Sequence, residues 1–155
     1  MNRWLALTLF IVIAFAASAI GALATTASVT TWYPTIAKPS WNPPNGVFAP
    51  VWSILYLFMA IAAWRVWLRR TEAGAVTTIA LWFGQLFLNV VWSLLFFGAH
   101  NPGAALVEIV GFWGLLLVLQ LRLNRLDRVA ALLWAPYLGW VTFATWLNFT
   151  IWRLN

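Results

Sequence analysis

The chain has 155 residues, of which 64% are hydrophobic and only 8% are charged, and its formal net charge at pH 7 is +6. Such a composition excludes an ordinary water-soluble domain and makes lipid the expected solvent. The absence of cysteine excludes disulfides and thiolate metal sites.

Five apolar runs, taken in chain order, are long enough to cross a bilayer. A spanning helix needs about 20 predominantly apolar residues, and charged, proline or glycine residues bound each run. The predicted helices lie near residues 4–27, 47–68, 75–98, 103–122 and 129–152. Because the runs lack the two-residue alternation of a membrane barrel, the sequence predicts an all-α integral membrane protein. The five transmembrane helices form a single domain over residues 1–155.

The first run has an alternative interpretation as a secretory signal peptide. Asn2 and Arg3 precede it, and the small residues Ala16-Ala17-Ser18-Ala19 are typical of a cleavage site. The apolar run continues to Ala27, which is longer than a signal peptide needs, so a retained helix is favoured.

The basic residues predict the orientation in the membrane. Seven arginines flank the helix ends on the N-terminal side: Arg3, Arg65, Arg69, Arg70, Arg122, Arg125 and Arg128. Lys38 and Arg153 flank the other side. Cytoplasmic ends of membrane helices carry the excess of Lys and Arg, so we expect a cytoplasmic N-terminus and an external C-terminus. These residues lie at helix ends and not in a polar domain, which argues against nucleic-acid binding.

The loop between the first two helices, residues 28–46, is rich in proline and aromatic residues. Four prolines restrict its backbone, and Trp32, Tyr33 and Trp41 supply large apolar surfaces. Two interpretations remain open, an interfacial aromatic belt and a structured lid that closes a cavity in the bundle.

Aromatic and amide side chains recur at helical spacing on three of the predicted helices. The residues are Trp52, Tyr56, Met59 and Ala63 on the second, Gln85, Asn89, Trp92 and Phe96 on the third, and Tyr137, Trp140, Ala144 and Asn148 on the fifth. Amides in a membrane are costly unless paired, so these stripes are expected to face the bundle interior. There they either join helices by hydrogen bonds or line a pocket for a flat, largely apolar ligand.

Ionisable groups that suggest catalysis are nearly absent. No pair of close carboxylates, phosphate-binding glycine loop or Ser-His-Asp set is present, and no metal site is expected. His100 is predicted to be solvated at a helix end and not to ligate metal or haem. Glu108 lies one to two turns into the fourth helix, where it could pair with His100, extend outward or line a path.

Small residues predict close helix packing in two places. Ala80 and Gly84 are four residues apart on the third helix, and Gly21 and Thr25 are four apart on the first. Each pair fits either a self-association face or ordinary packing inside one bundle.

The order and spacing of these features resemble the TspO/MBR family over nearly the whole chain. The most specific pieces are Trp32-Tyr33, Lys38-Pro39-Ser40-Trp41, Pro43-Pro44, Trp52, Leu55-Tyr56, Gln85-Leu86, Asn89, Trp92, Phe96-Phe97-Gly98, Pro136-Tyr137, Trp140 and Leu147-Asn148. The resemblance implies five helices around a cavity beneath the first loop, usually in a homodimer, and a receptor, sensor or carrier function. Porphyrins, including haem as a ligand, and benzodiazepine-site ligands are the implied ligands, and a bacterial cell membrane is the expected location.

The resemblance also implies which residues bind the ligand. They are Tyr33 and Pro43 in the loop, Trp52 on the second helix, Asn89, Trp92 and Phe96 on the third, and Trp140 and Ala144 on the fifth. Two other functions remain open. One is light-dependent oxidative degradation of bound porphyrin, with Trp52 and Trp140 as the reactive residues, and the other is a structural or regulatory role in which lipid fills the cavity. Cholesterol is not expected as a ligand, because Phe149 stands where the sterol motif requires tyrosine.

Overall fold

The computed structural model describes residues 2–155 and contains five long helices. They are α1 (Arg3–Thr31), α2 (Asn45–Leu68), α3 (Ala75–Ser93), α4 (Pro102–Leu126) and α5 (Arg128–Leu154), and α3 continues as a π-helical turn over Leu94–Gly98. Each of the five is long and apolar enough to cross a membrane. The predicted five-helix membrane bundle is therefore confirmed.

The neighbours around the bundle follow the order α1, α2, α5, α4 and α3, with α3 again next to α1. Successive helices run in opposite directions, so the connections alternate between two ends. We call one the lid end, formed by the loop of residues 32–44, residues 99–101 and the end of α5. The other is the arginine end, formed by the start of α1, residues 69–74 and residue 127.

The helices extend further than the apolar runs predicted. The first helix, predicted near residues 4–27, continues to Thr31. The hydroxyls of Thr25, Thr26 and Thr31 each donate to the carbonyl four residues earlier, so these polar side chains are satisfied within the helix. Similarly, α4 continues to Leu126 and not to residue 122. The lid therefore comprises residues 32–44, shorter than the predicted 28–46.

The first helix is packed into the bundle. Ala6 and Ala14 are fully buried, and a Cβ atom added to Gly21 would lie 3.2 Å from Oγ of Ser93 on α3. The small residue at position 21 thus permits close packing inside the bundle and does not form an outer self-association face. This extensive packing favours the interpretation of α1 as a retained helix.

At the arginine end, Asp127 joins α2 to the connection between α4 and α5. Its carboxylate accepts from Nε and Nη2 of Arg65 at 2.9 and 3.0 Å and from Nε of Arg69 at 3.1 Å. It also caps α5 by accepting from the Ala130 N–H at 2.9 Å. Burial alone would raise the pKa of Asp127, but the two guanidinium groups and the Ala130 N–H together hold it below its ordinary value. The sequence had indicated only an orientation role for these arginines.

Candidate functional site

The lid is an ordered loop held together by its own side chains. Tyr33 is buried, and its hydroxyl donates to Oδ1 of Asn42 at 2.7 Å. The Lys38 ammonium donates to the carbonyls of Tyr33 and Ile36 at 2.6 and 2.8 Å and lies 4.9 Å from the centre of the Tyr33 ring. Burial raises the pKa of Tyr33 above its ordinary value, although the bond to Asn42 opposes this rise. The prediction of a structured loop is confirmed.

The lid is also docked onto the end of α5. The Ala37 N–H donates to Oδ1 of Asn155 at 2.9 Å, and Nδ2 of Asn155 donates back to the Ala37 carbonyl at 3.0 Å. Nearby, the Trp41 ring packs edge-on against Phe143, with ring centres 5.9 Å apart. These contacts place the lid over the ends of the helices that carry the predicted site.

The junction between α1 and the lid is fixed to the π-helical turn of α3. Ser28 Oγ donates to the Phe97 carbonyl at 2.6 Å and lies 3.0 Å from Nε2 of His100. Because the single hydroxyl proton goes to Phe97, His100 is the donor in the second contact. The ring of Trp32 stacks on His100 at 4.5 Å. His100 is exposed at the helix end, as predicted, but it also has a structural role.

Beneath the lid, aromatic rings from α3 fill the bundle. Phe96 is buried and stacks on Trp92 with ring centres 5.3 Å apart. Tyr33 from the lid is 6.4 Å from Phe96. The indole N–H of Trp92 donates to Oδ1 of Asn148 at 3.0 Å, and Asn148 donates to the Pro102 carbonyl. Three predicted ligand residues, Tyr33, Trp92 and Phe96, therefore meet in one cluster.

A buried hydrogen-bond network crosses the middle of the bundle. Tyr56 donates to Oδ1 of Asn89 at 2.8 Å, and Nδ2 of Asn89 donates to the Tyr137 hydroxyl at 2.9 Å. Tyr137 in turn donates to Oε1 of Gln85 at 2.8 Å, and Nε2 of Gln85 contacts the Met59 sulfur. The network links α2, α3 and α5. The interpretation of Gln85 and Asn89 as helix-to-helix hydrogen-bonding residues is thus the one that the structure supports.

Trp52 and Trp140 differ from the tryptophans of the core. Both are half-buried, Trp52 on α2 and Trp140 on α5. Trp52 packs against Tyr137 with ring centres 6.2 Å apart, and Trp140 packs against Phe48 at 6.0 Å. Among the hydrogen bonds formed within residues 2–155, none involves either indole N–H, whereas Trp92 uses its own. Two free donors therefore lie near the lid, on helices that are neighbours in the bundle.

The two remaining predicted residues lie at the edge of this region. Ala144 is half-buried on α5, one turn beyond Trp140, and packs against the main buried cluster. Pro43 is half-buried in the lid, where its carbonyl accepts from Nδ2 of Asn42 at 3.1 Å. Neither contributes a side-chain polar group, so both would act through shape.

An open groove of about 540 Å³ lies away from these residues, between α4 and α5. Its lining is almost entirely apolar and consists of Leu106, Val110, Trp113, Thr142, Thr145, Trp146 and Phe149. None of these is a predicted ligand residue. Val110 and Trp146 in its lining are exposed, so the groove opens to the outside of the bundle, where lipid chains would occupy it in a bilayer.

Glu108 is the unexplained ionisable group of the membrane region. Both carboxyl oxygens are buried, and neither has a hydrogen-bond partner among residues 2–155. Pairing with His100, one of the predicted alternatives, is therefore wrong, because His100 bonds Ser28 instead.

Replacing Glu108 with leucine is expected to stabilise the protein by about 1–2 kcal/mol. A buried polar group without a partner costs about 1–3 kcal/mol, and an apolar side chain removes that cost. Glu108→Gln retains an unpaired polar group and serves as the control, with little expected gain. Thermal unfolding in detergent would measure the difference. A less stable Glu108→Leu variant would indicate that the carboxyl group has a bound partner.

Comparison with known proteins agrees with this architecture. Residues 9–153 match the TspO/MBR family. The chain is 41% identical to the Tryptophan-rich protein TspO of Chlorobaculum tepidum, covering 100% of this chain and 99% of that protein. It is 38% identical to the Tryptophan-rich sensory protein of Cereibacter sphaeroides (89% and 87% covered) and 36% identical to the Translocator protein of Sus scrofa (80% and 75% covered). The chain therefore belongs to the TspO/MBR family and is a multi-pass membrane protein.

Proposed function

We propose that this protein is a membrane receptor or carrier that binds porphyrin-type tetrapyrroles, including haem, at the lid end of the bundle. The observation that carries the proposal is the pair of half-buried tryptophans, Trp52 and Trp140, whose indole N–H groups are free within residues 2–155. They lie on neighbouring helices near an ordered lid. Flat synthetic ligands of the benzodiazepine-site class fit the same chemistry.

The chemistry of the ligand matches this arrangement. A porphyrin has a large flat apolar ring, which stacks on aromatic side chains, and carboxylates at its edge, which accept hydrogen bonds from N–H donors. In this scheme Trp52 and Trp140 contact the ligand directly. Asn89 acts indirectly, because its hydrogen bonds to Tyr56 and Tyr137 fix two rings that pack against Trp52.

The remaining predicted residues define the outer wall of the site. Tyr33 and Pro43 belong to the lid, and Trp92 and Phe96 form the aromatic layer below it. Ala144 lies one turn from Trp140 and packs against the main buried cluster, where its small side chain would act through shape. A ligand would enter by displacing part of this aromatic packing, which makes lid movement a part of binding.

The double variant Trp52→Phe/Trp140→Phe is expected to weaken protoporphyrin IX binding about tenfold or more. Losing two hydrogen-bond donors removes about 1–3 kcal/mol of binding free energy. Titration followed by the porphyrin absorption band gives Kd without interference from the other tryptophans. The matched control Trp4→Phe/Trp146→Phe removes two exposed indoles from α1 and α5 and should leave Kd unchanged. Equal affinities for the two double variants would place the ligand elsewhere.

Porphyrin binding is also expected to slow hydrogen exchange in the lid, because a ligand that contacts the closed form shifts the population toward it. The Ala37 amide is a suitable reporter, since it bonds Asn155. Asn155→Ala removes that bond and should raise its exchange rate. Trypsin digestion is not a suitable probe of the lid, because the lid has one basic residue, Lys38, and the proline that follows it prevents cleavage. Identical exchange with and without porphyrin would favour the interfacial-belt interpretation of the lid aromatics.

The same complex tests the alternative function, light-dependent oxidative degradation of the porphyrin. The free indoles of Trp52 and Trp140 are oxidisable and lie where the ligand is proposed to bind, which is the observation that favours this alternative. Illumination of the complex, followed by counting the porphyrin lost per protein, separates the two functions. Loss of several equivalents would indicate catalysis, whereas loss of one or less indicates a damaged ligand complex.

Orientation and assembly complete the proposal. All seven arginines of the N-terminal side lie at the arginine end, which favours a cytoplasmic N-terminus and an external lid, in a bacterial cell membrane.

A homodimer would use the exposed face of α3 that includes Ala80, Phe83 and Phe87. Gly84 is half-buried, and Leu115 of α4 lies 3.9 Å from a Cβ built on it, so it sits at the edge of that face. Cholesterol is left out because Phe149 has no hydroxyl.

A further inference from the structure

The arginine end carries more positive charge than the protein itself neutralises. Seven arginines lie there, against two carboxylates, Glu72 and Asp127. Arg65 and Arg69 pair with Asp127, and Arg69 also pairs with Glu72. Arg122 instead donates to the Thr78 hydroxyl and to the Gly74 carbonyl. Four arginines, Arg3, Arg70, Arg125 and Arg128, are exposed and have no carboxylate partner among residues 2–155. We call these four the free arginines.

Two of the free arginines lie beside tryptophan rings. The Arg70 guanidinium is 4.2 Å from the centre of the Trp67 ring, and that of Arg3 is 5.1 Å from the Trp4 ring. Trp4 in turn stacks on Trp64 of α2. Tryptophan prefers the interface between hydrocarbon and headgroups. These contacts therefore place the two guanidinium groups at the depth of the lipid phosphates.

The other two free arginines lie next to the central ion pair. Arg128 directly follows Asp127, and Arg125 precedes it by two residues. Arg70 directly follows Arg69, whose Nε bonds the same Asp127 carboxylate. Arg70, just beyond the end of α2, and Arg128, the first residue of α5, thus flank one neutralised group of charges. Arg70 donates one hydrogen bond, from Nη1 to the Trp67 carbonyl at 3.3 Å, and its other N–H groups remain for an external anion.

We propose that the free arginines bind the phosphate groups of anionic phospholipids in the leaflet at the arginine end. A guanidinium group binds a phosphate through two parallel hydrogen bonds, and a juxtamembrane Lys or Arg contributes roughly fivefold to the affinity for an anionic lipid surface. The lid end has no comparable set, because the ammonium of Lys38 is occupied by two carbonyls and Arg153 is then the one Lys or Arg side chain left at that end of residues 2–155. This inference does not depend on the porphyrin proposal.

The test is the enrichment of lipid around the protein in nanodiscs that contain phosphatidylcholine with a minority of phosphatidylglycerol. Lipid that remains bound after mild detergent extraction is quantified by mass spectrometry. The wild type should enrich phosphatidylglycerol, and each Arg→Gln change among the free arginines should lower the enrichment by roughly fivefold. High ionic strength should lower it too, because the Debye length falls to about 3 Å at 1 M salt.

Two further variants separate lipid binding from its alternatives. Replacing all four free arginines with lysine preserves charge and membrane orientation but removes two-bond recognition. Enrichment should therefore fall, but by less than with the four Arg→Gln changes, while folding persists. The matched control Lys38→Gln/Arg153→Gln changes charge at the lid end and should have no effect. The proposal is overturned if the four Arg→Gln changes leave enrichment unchanged, if the control lowers it equally, or if soluble glycerol phosphate binds as well as the lipid does.

Discussion

Replacing Asp127 with alanine is expected to lower the free energy of unfolding by about 2–4 kcal/mol. The change removes the cap of α5, which contributes about 1 kcal/mol, and leaves Arg65 without its two-bond partner. Breaking an ion pair at a buried carboxylate is costly because the remaining charge is uncompensated, although partial exposure of Arg65 and Arg69 moderates the cost. Denaturation with an anionic detergent, followed by circular dichroism, would measure it.

Two controls separate the cap from the charge. Asp127→Asn retains an oxygen that can accept from the Ala130 N–H but removes the charge, so it should cost less than alanine. Glu72→Gln disrupts an exposed pair with Arg69 and should change stability by about 0–1 kcal/mol. An Asp127→Ala variant as stable as Glu72→Gln would mean that α2 does not depend on this contact.

The contribution of Asp127 should also depend on pH in one direction. Its pKa is lowered in the folded protein, so the stabilisation is fully present above the ordinary aspartate pKa of about 3.9. It is lost as the pH falls from there through the folded pKa. The stability difference between wild type and Asp127→Asn should therefore be constant near neutral pH and shrink below about pH 4.

Replacing Tyr137 with phenylalanine is expected to cost about 1–3 kcal/mol. The lost hydroxyl both accepts from Asn89 and donates to Gln85, so two amide groups lose a partner in a region without water. Hydrogen bonds between membrane helices contribute about 0.6–1.7 kcal/mol each, which places the loss of two bonds near 2 kcal/mol. Thermal unfolding of both proteins in the same detergent gives the value.

Tyr56→Phe is the matched control, because it removes one hydroxyl from the same network but leaves only Asn89 with an unpaired oxygen. Its cost should be about half that of Tyr137→Phe. A double variant should cost less than the sum, since both hydroxyls bond Asn89. Equal costs for the two single variants would contradict the shared network.

The number and type of the helices could be predicted because lipid imposes simple rules on the chain. A spanning segment must be long, apolar and helical, and charged residues mark its ends. The ends of the helices were less predictable. Asn124 and Arg125 look like a connection by hydropathy, yet they are helical within α4. Hydropathy indicates where the hydrocarbon layer ends, whereas α4 itself continues to Leu126, next to Asp127, which caps α5.

The sequence allowed the residues that face the bundle interior to be predicted, but not the residues with which they form hydrogen bonds. Helical spacing brought Gln85 and Asn89 to one face, and the structure places both in the interior. Spacing within one helix does not reveal partners on another, so the bonds from Asn89 to Tyr56 and Tyr137 had no sequence signal. Likewise, Asp127 and Arg65 are 62 residues apart. The signal that could have found Asp127 is its place as the only acidic residue between two arginine-rich helix ends.

The π-helical turn at Leu94–Gly98 makes this part of the chain sensitive to length. Its closing bond joins the Ala99 N–H to the Leu94 carbonyl, five residues back, so the turn holds one residue more than an α-helical turn. Deleting one residue there would close the turn to a regular α-helical one, and the chain between Ser93 and the start of α4 at Pro102 would be one residue shorter. His100 would then lose its hydrogen bond to Oγ of Ser28. The hydrogen bond from Ser28 to Phe97 is made to a main-chain carbonyl, so it does not depend on the side chain at position 97. Scanning for deletions and substitutions should therefore find the exposed positions Leu94 and Gly98 permissive to changes of residue, the buried Phe96 sensitive to them, and the whole segment intolerant of changes in residue number.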